Sequence, residues 1–403
     1  MNILYLCDEY PPGRHGGIGT AVQLLAREMV KKGHNVVVAG FSDWGYGGAD
    51  EFEDEGVKVY RFRRGLGSMW FEQKDAMRVR ASYRLLKMTG IFQWDLERSL
   101  RRYETFLEEL ISRHSIDIVE RPDFNEYMQY CSKVTHCPQL SRPTVVKLHG
   151  TISYFLKERN IEPPQVLYEM EREVLATADA ISSVSKYTAE KTSNYFGMYE
   201  PIEVVYNGIE IKAQAKTEKV PGQVIFTGSL VEKKGIYQLM KAWNIVTEQM
   251  PGARLLVLGK GHREKADVLL SRKAKATVSF KGHVPSEVLF HDLATSDVAV
   301  FPSYAETFGL AAAEAMASGT ATIFSTYTSG PEVVRHGVDG LTVDPDKVEE
   351  LAEQILLLLR DVELRKKLEV AGRKRVDEEF EISKVAGRNI ALYERVLAKS
   401  SNI

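Results

Sequence analysis

The chain reads as an α/β protein of two halves, each alternating short apolar strands with helical patterns. Three observations carry this reading. At 403 residues it exceeds one ordinary core, so two domains of about 200 residues are expected. Strand, turn and helix signals recur in βαβ order in both halves, which implies parallel sheets. A polar stretch over 211–223, short of large apolar residues, separates the halves as a linker, so two α/β domains face a cleft.

Composition narrows the class. Apolar residues make up 44 % and charged residues 27 %, ordinary for a soluble globular protein. The formal charge is 53 − 55 = −2, which gives no reason to expect nucleic acid. Cys7, Cys131 and Cys137 are odd in number and lack metal spacing, so they read as reduced thiols of a cytoplasmic protein. Met1-Asn2 runs straight into Ile3-Leu4-Tyr5-Leu6 without a charged leader, and no run reaches the 18 or so apolar residues of a bilayer span.

In chain order, residues 3–7 form the first buried strand. A loop over 8–16 follows, then a helix with Val22, Leu25, Ala26 and Met29 on one face, stopping at Gly33. The next strand is 35–39. Between strand and helix lies His15-Gly16-Gly17-Ile18-Gly19, a tight turn that lacks the G-x-G-x-x-G dinucleotide spacing. No acidic residue closes the strand after Ala39, which argues against a dehydrogenase. Over 61–102 the chain turns basic, with 11 Lys/Arg against 4 Asp/Glu, and interleaves Trp70, Phe71, Tyr83, Phe92 and Trp94. A connection plus a helical hairpin with a solvated basic face explains this. The sharper reading is a peripheral surface for anionic lipid at the inner face of the membrane, or for an anionic acceptor. Strands at 116–119 and 144–148 end in Glu120-Arg121-Pro122-Asp123 and in His149-Gly150. Ligands of parallel sheets sit beyond such strand ends, so Asp123, Phe124 and His149 are candidate contacts.

The second half opens with a strand at 224–227. Gly228 to Gly235 and a helix from about Ile236 follow, then strands at 255–258 and 278–280. Its centre is the stretch 301–319, FPSYAETFGLAAAEAMASG: an apolar strand, a tight loop 302–309, and a long alanine-rich helical pattern from about Leu310. A helix start presents free N–H groups and a positive dipole end, suited to a diphosphate. Glu306 lies in the loop and Glu314 about a turn and a half into the helix. The only Asp-x-Asp, Asp344-Pro345-Asp346, reads as a helix cap rather than a metal site. The last amphipathic helical segment begins near Ser383.

Glu306-x7-Glu314, with Phe308-Gly309 and Ala-Met-Ala-Ser-Gly behind it, resembles the signature of retaining family 4 glycosyltransferases of GT-B architecture, the glycogen-synthase and mannosyltransferase-like group. His149-Gly150, Ala178-Asp179 and Asn207-Gly208 resemble further family positions. The resemblance implies an N-terminal acceptor-binding Rossmann-like domain over 1–210, joined by a crossing helix at about 383–403, and a donor-binding domain over 211–382. Glu306 would hold hydroxyls of the donor sugar, Glu314 the ribose, and Lys234 the diphosphate, with His149 beside the sugar. Gly16, Gly17, Asn207, Ser229, Lys233, Val284, Thr307, Phe308, Gly309 and Leu310 complete the implied donor contacts.

The implied reaction moves a hexosyl unit from a nucleotide-diphosphate sugar, a UDP-sugar first and GDP-mannose next, to a hydroxyl of a glycan, glycolipid or small acceptor, as in polysaccharide biosynthesis. It implies retention, no cofactor beyond the nucleotide sugar, and no metal. One position departs from the pattern: Ser229 stands where the family's Gly-Arg-Leu carries Arg. Either Lys233 substitutes, or the hydroxyl and backbone suffice, or activity is reduced. A nucleotide-sugar epimerase and a non-catalytic subunit on the same scaffold are the competing readings.

Overall fold

The computed structural model describes residues 1–13, 15–42, 48–65, 89–125, 127–128, 131–211 and 218–400. The chain divides into two compact units. The first comprises Met1–Val184, Thr188–Val205 and Val385–Ile403; the second comprises Ser185–Tyr187 and Tyr206–Lys384.

The first unit holds an eight-stranded sheet. Its strands are β1 (Asn2–Leu6), β2 (Asn35–Ser42), β3 (Glu51–Asp54), β4 (Val57–Arg63), β5 (Ile118–Pro122), β6 (Thr144–Leu148), β7 (Ala180–Ser183) and β8 (Glu203–Val204). The order is β3-β4-β2-β1-β5-β6-β7-β8, parallel throughout except for the antiparallel edge β3. The central strands are buried on both faces, which is why β1, β2 and β6 read as near-continuous apolar runs. The β3–β4 hairpin is a feature the sequence reading did not name. Glu55 and Gly56 both take positive φ, 48° and 85°, as a tight two-residue hairpin turn requires.

The helix Ile382–Ser400 carries Asn389 and Tyr393 into the buried core of this unit. Lys147 Nζ donates to Asn389 Oδ1 at 3.1 Å, and the Tyr393 hydroxyl donates to Glu120 at 2.6 Å. Both charges are buried, so these bonds replace lost hydration that would otherwise cost several kcal/mol.

The second unit is a six-stranded parallel sheet of β9 (Gln223–Thr227), β10 (Arg254–Leu258), β11 (Val278–Gly282), β12 (Val298–Phe301), β13 (Ala321–Ser325) and β14 (Leu341–Val343). Its order, β11-β10-β9-β12-β13-β14, is the 3-2-1-4-5-6 arrangement of a Rossmann domain. Its core gathers Ile236, Leu239 and Trp243 against Val257, Val300 and Ile323. The strand order reverses between β9 and β12, so the loops after these two strands flank the crevice where such sheets bind ligands.

Two expectations need correction here. The alanine-rich helix is short, Leu310–Ala317, because Gly319 turns to a φ of 67° and the chain leaves for β13. Asp344-Pro345-Asp346 does not cap the following helix, Val348–Arg360, whose N-cap position is Lys347 with no side-chain cap. Asp344 instead accepts from the Asp346 amide, and the Asp346 carboxylate receives the hydroxyls of Tyr304 at 2.7 Å and Tyr327 at 3.0 Å. Of the basic, aromatic-bearing segment 61–102, residues 66–88 lie outside the described residues, among them Trp70, Phe71 and Tyr83. Within the remainder Phe92 is buried, while Ile91 and Trp94 stand out from the helix Ile91–Arg113 with Arg98 5.5 Å over the Trp94 ring.

Candidate active site

In the second unit the loops that follow β9 and β12 meet. Lys234 closes a short 3₁₀ turn after β9, and Gly235 follows at a φ of 70°. A Cβ on Gly235 would stand 1.8 Å from the Pro302 carbonyl oxygen, so only glycine lets the two loops pack this closely. The Lys233 carbonyl then accepts from the amides of Tyr304 at 2.9 Å and Ala305 at 3.4 Å. This seam brings Lys234 Nζ to 2.5 Å from Glu306 Oε1, which also accepts from the Ser303 hydroxyl at 3.1 Å. Glu306 Oε2 has no partner among the described residues.

Behind Glu306, Phe308 is buried, Gly309 takes a φ of 101°, and the helix Leu310–Ala317 begins. The amides of Gly309, Leu310 and Ala311 have no acceptor among the described residues, while Ala312 and Ala313 already bond to the Gly309 carbonyl. Three N–H groups at a helix start, beside an ammonium, form a receptacle for an anion of more than one charge. Thr307 and Leu310 are half-buried on either side of these amides, and Glu314 is half-buried on the helix that follows. Ser229 is exposed after β9, Lys233 is exposed beside Lys234, and Val284 is half-buried after β11. Asn207 is buried just before Gly208. Sequence reasoning missed Ser303 and Thr328. The first bonds the Glu306 carboxylate, and the second accepts from the Glu306 amide at 3.3 Å.

In the first unit, Gly16 and Gly17 are exposed at the start of the helix Gly17–Lys31, with Glu9 accepting from the Gly16 amide at 2.6 Å. Neither takes a positive φ; the glycine that sterics demand is Gly19, where a Cβ would meet the Glu9 carbonyl at 2.1 Å. Asp123 and His149 follow β5 and β6. Asp123 is fully buried, and its oxygens accept from the His149 amide at 2.8 Å and the Gly150 amide at 3.1 Å. Burial pushes its carboxyl up to about 7, against the pull of those amides. Burial, with Lys147 adding to it, brings His149 down to about 3, so the imidazole is neutral and can hydrogen-bond a hydroxyl. Phe124 is half-buried next to this pair.

Two family profiles tile the chain: Glycosyltransferase Family 4 matches residues 15–213, and Glycosyl transferases group 1 matches residues 209–375. The chain belongs to glycosyltransferase family 4. This glycosyltransferase is 26 % identical over 414 residues to a glycogen synthase of Mycobacterium tuberculosis, covering 98 % of the chain and 94 % of that protein. Among solved structures, sucrose-phosphate synthase from Thermosynechococcus elongatus superposes with a TM-score of 0.77 at 18 % identity, covering 99 % of this chain and 100 % of that one. Anabaena HepE in complex with UDP and glucose gives 0.72 at 16 % identity, covering 98 % and 100 %. The family 4 enzyme is thus a GT-B protein with two Rossmann-like domains. Among its described residues no helix is long and apolar enough to cross a membrane.

Proposed function

We propose that this glycosyltransferase transfers a hexosyl unit, with retention of configuration, from a UDP-sugar to a hydroxyl of a glycan or glycolipid acceptor, GDP-mannose being the next donor to test. The observation that carries the reading is the Lys234–Glu306 pair beside the free amides of 309–311, at the point where the second sheet reverses its order. In this reading the second unit binds the donor. Lys234 and the amides hold the diphosphate, Glu306 Oε2 accepts from hydroxyls of the hexose, and Glu314 accepts from the ribose. Val284, Asn207, Ser229 and Thr307 border the nucleotide.

The first unit binds the acceptor, with Asp123 and Phe124 as its candidate lining; Gly16, Gly17 and His149 keep the donor roles that the family resemblance implies. His149 contributes a neutral imidazole, and Asp123 acts through the backbone of 149–150 that it holds. The acceptor oxygen forms its bond to the anomeric carbon on the face from which the phosphate departs. The C–O bond to the diphosphate breaks with its electron pair, and the departing phosphate oxygen takes the acceptor proton. Neither a protein nucleophile nor a cofactor is required, and the leaving-group charge falls on Lys234 and the amides in place of a metal. Ile91 and Trp94, exposed on the helix Ile91–Arg113, support a peripheral contact with anionic lipid.

The test is a panel of UDP-sugars and GDP-mannose, with nucleotide release followed with and without glycan and glycolipid acceptors. Acceptor-dependent release, with a product of the donor's anomeric configuration by NMR, supports the reading. An inverted product removes retention. Interconversion of the sugar without acceptor makes the protein an epimerase, and neither reaction leaves a non-catalytic subunit.

A further inference from the structure

The loop that carries Glu306 is held from behind by the turn that follows β13, and that turn contains the one non-glycine residue among the described residues of the second unit with a positive φ. Thr328 sits at a φ of 55°, in the left-handed region. A β-branched side chain is rarely found there, because its two γ atoms crowd the backbone. Such strain persists only where the surroundings hold it, and it gathers where a fold must place a group for function. Here the group placed is a hydroxyl: Thr328 Oγ1 accepts from the Glu306 amide at 3.3 Å. The next residue, Ser329, is fully buried and donates to the Phe308 carbonyl at 2.9 Å. On the outer side, Tyr304 and Tyr327, one from each loop, donate to the two oxygens of Asp346, their rings 6.0 Å apart. The 302–309 loop is therefore tied to the 326–329 turn at its entry, at Glu306 itself and at its exit. Lys234 and Ser303 fix the end of the Glu306 side chain, but among the described residues only Thr328 bonds its backbone amide.

We propose that Thr328 is a positioning residue for Glu306: its strained backbone aims the hydroxyl that sets where the Glu306 carboxylate stands. The inference rests on the reading in which Glu306 holds the donor hexose. It adds a residue that the Glu306-x7-Glu314 signature does not contain. Asp346 has the accompanying part, as the shared acceptor that keeps the two loops in register.

Three variants separate position from stability. Thr328→Ser keeps the hydroxyl and sheds the branch. Thr328→Val keeps the shape and loses the acceptor. Thr328→Gly relieves the positive φ and loses the acceptor, so it folds at least as firmly as the parent. Hydrogen exchange of the unliganded protein is measured over 302–309. Steady-state rates use whichever nucleotide sugar supports turnover in the release assay. The expected result is faster exchange in Val and Gly but not in Ser, with kcat down about tenfold or more in the same two and free UDP or GDP affinity unchanged. Equal exchange in Val and the parent, or full turnover in Gly, overturns the inference while leaving the role of Glu306 intact. Full turnover of Glu306→Ala overturns the reading beneath it, and this inference with it.

Discussion

Lys234→Met tests the proposed chemistry most directly, because the structure separates its ground-state and transition-state costs. Lys234 Nζ lies 2.5 Å from Glu306 Oε1, with the two side chains 26 % and 16 % exposed. Both side chains are mostly buried, so removing the ammonium leaves a half-buried carboxylate without its counter-charge; about 1–3 kcal/mol of stability should be lost, and the variant should unfold several degrees below the parent. Glu306 keeps the Ser303 hydroxyl at 3.1 Å and stays near its place. The transition state is another matter, because charge gathers on the departing phosphate and Ser229 supplies no cation after β9. Losing a pre-placed donor at such a site costs about 2.7–4 kcal/mol, or a factor of about 10²–10³ in kcat. The assay is steady-state nucleotide release, with Lys233→Ala and Ser229→Arg as companions. Lys233 ties to the 302–309 loop through its carbonyl, which alanine retains, so that variant should stay within a few-fold of the parent. Ser229→Arg should be tolerated or tighten donor binding. A Lys234→Met enzyme with kcat close to the parent's would show that the diphosphate does not sit here.

Glu314→Ala should weaken the free nucleoside diphosphate by about 1–3 kcal/mol in calorimetry, through lost ribose hydrogen bonds; unchanged affinity removes Glu314 from the site. Turnover should survive EDTA, and loss restored by Mg²⁺ or Mn²⁺ would assign the missing cation's work to a metal. Acid should act on Asp123 and His149 in opposite senses. The Asp123 carboxyl rises in the fold from 3.8 to about 7, so its share of stability grows as pH falls from 7 to 4. The imidazole of His149 drops from 6.5 to about 3, so its share is lost as pH falls through that window. Each acts by up to about 1.4 kcal/mol per pH unit, and the parent largely cancels them. Urea midpoints should therefore climb toward acid in His149→Gln and decline in Asp123→Asn; parallel profiles would refute the pairing.

The sequence made the strand–helix alternation and the glutamate pair legible because both are local: an apolar period, and a spacing within one loop and helix. What it concealed depends on residues that are distant along the chain. Asp346 looks like a cap from its own neighbours, since nothing nearby announces the hydroxyls of Tyr304 and Tyr327. Thr328 conceals itself further, because a β-branched residue is the last to be assigned a positive φ. The β3–β4 hairpin was accessible in principle, as Glu55-Gly56 sits between two short alternating runs. The sequence reading passed over it. In the glycine run after β1, composition drew the eye to Gly16 and Gly17, while the contact that forbids a side chain falls at Gly19.

The bonds from Asn389 to Lys147 and from Tyr393 to Glu120 have a consequence for how the protein is made. The first unit is discontinuous in the chain, begun by the opening residues and finished by Val385–Ile403, while most of the second is one uninterrupted stretch, Tyr206–Lys384. A ribosome therefore delivers everything the later unit needs before the earlier one is complete. Until the last turns emerge, Lys147 and Glu120 lack these partners and the nascent unit carries two charges prepared for burial. Order of synthesis and order of completion are thereby reversed: the unit begun first is the one completed last.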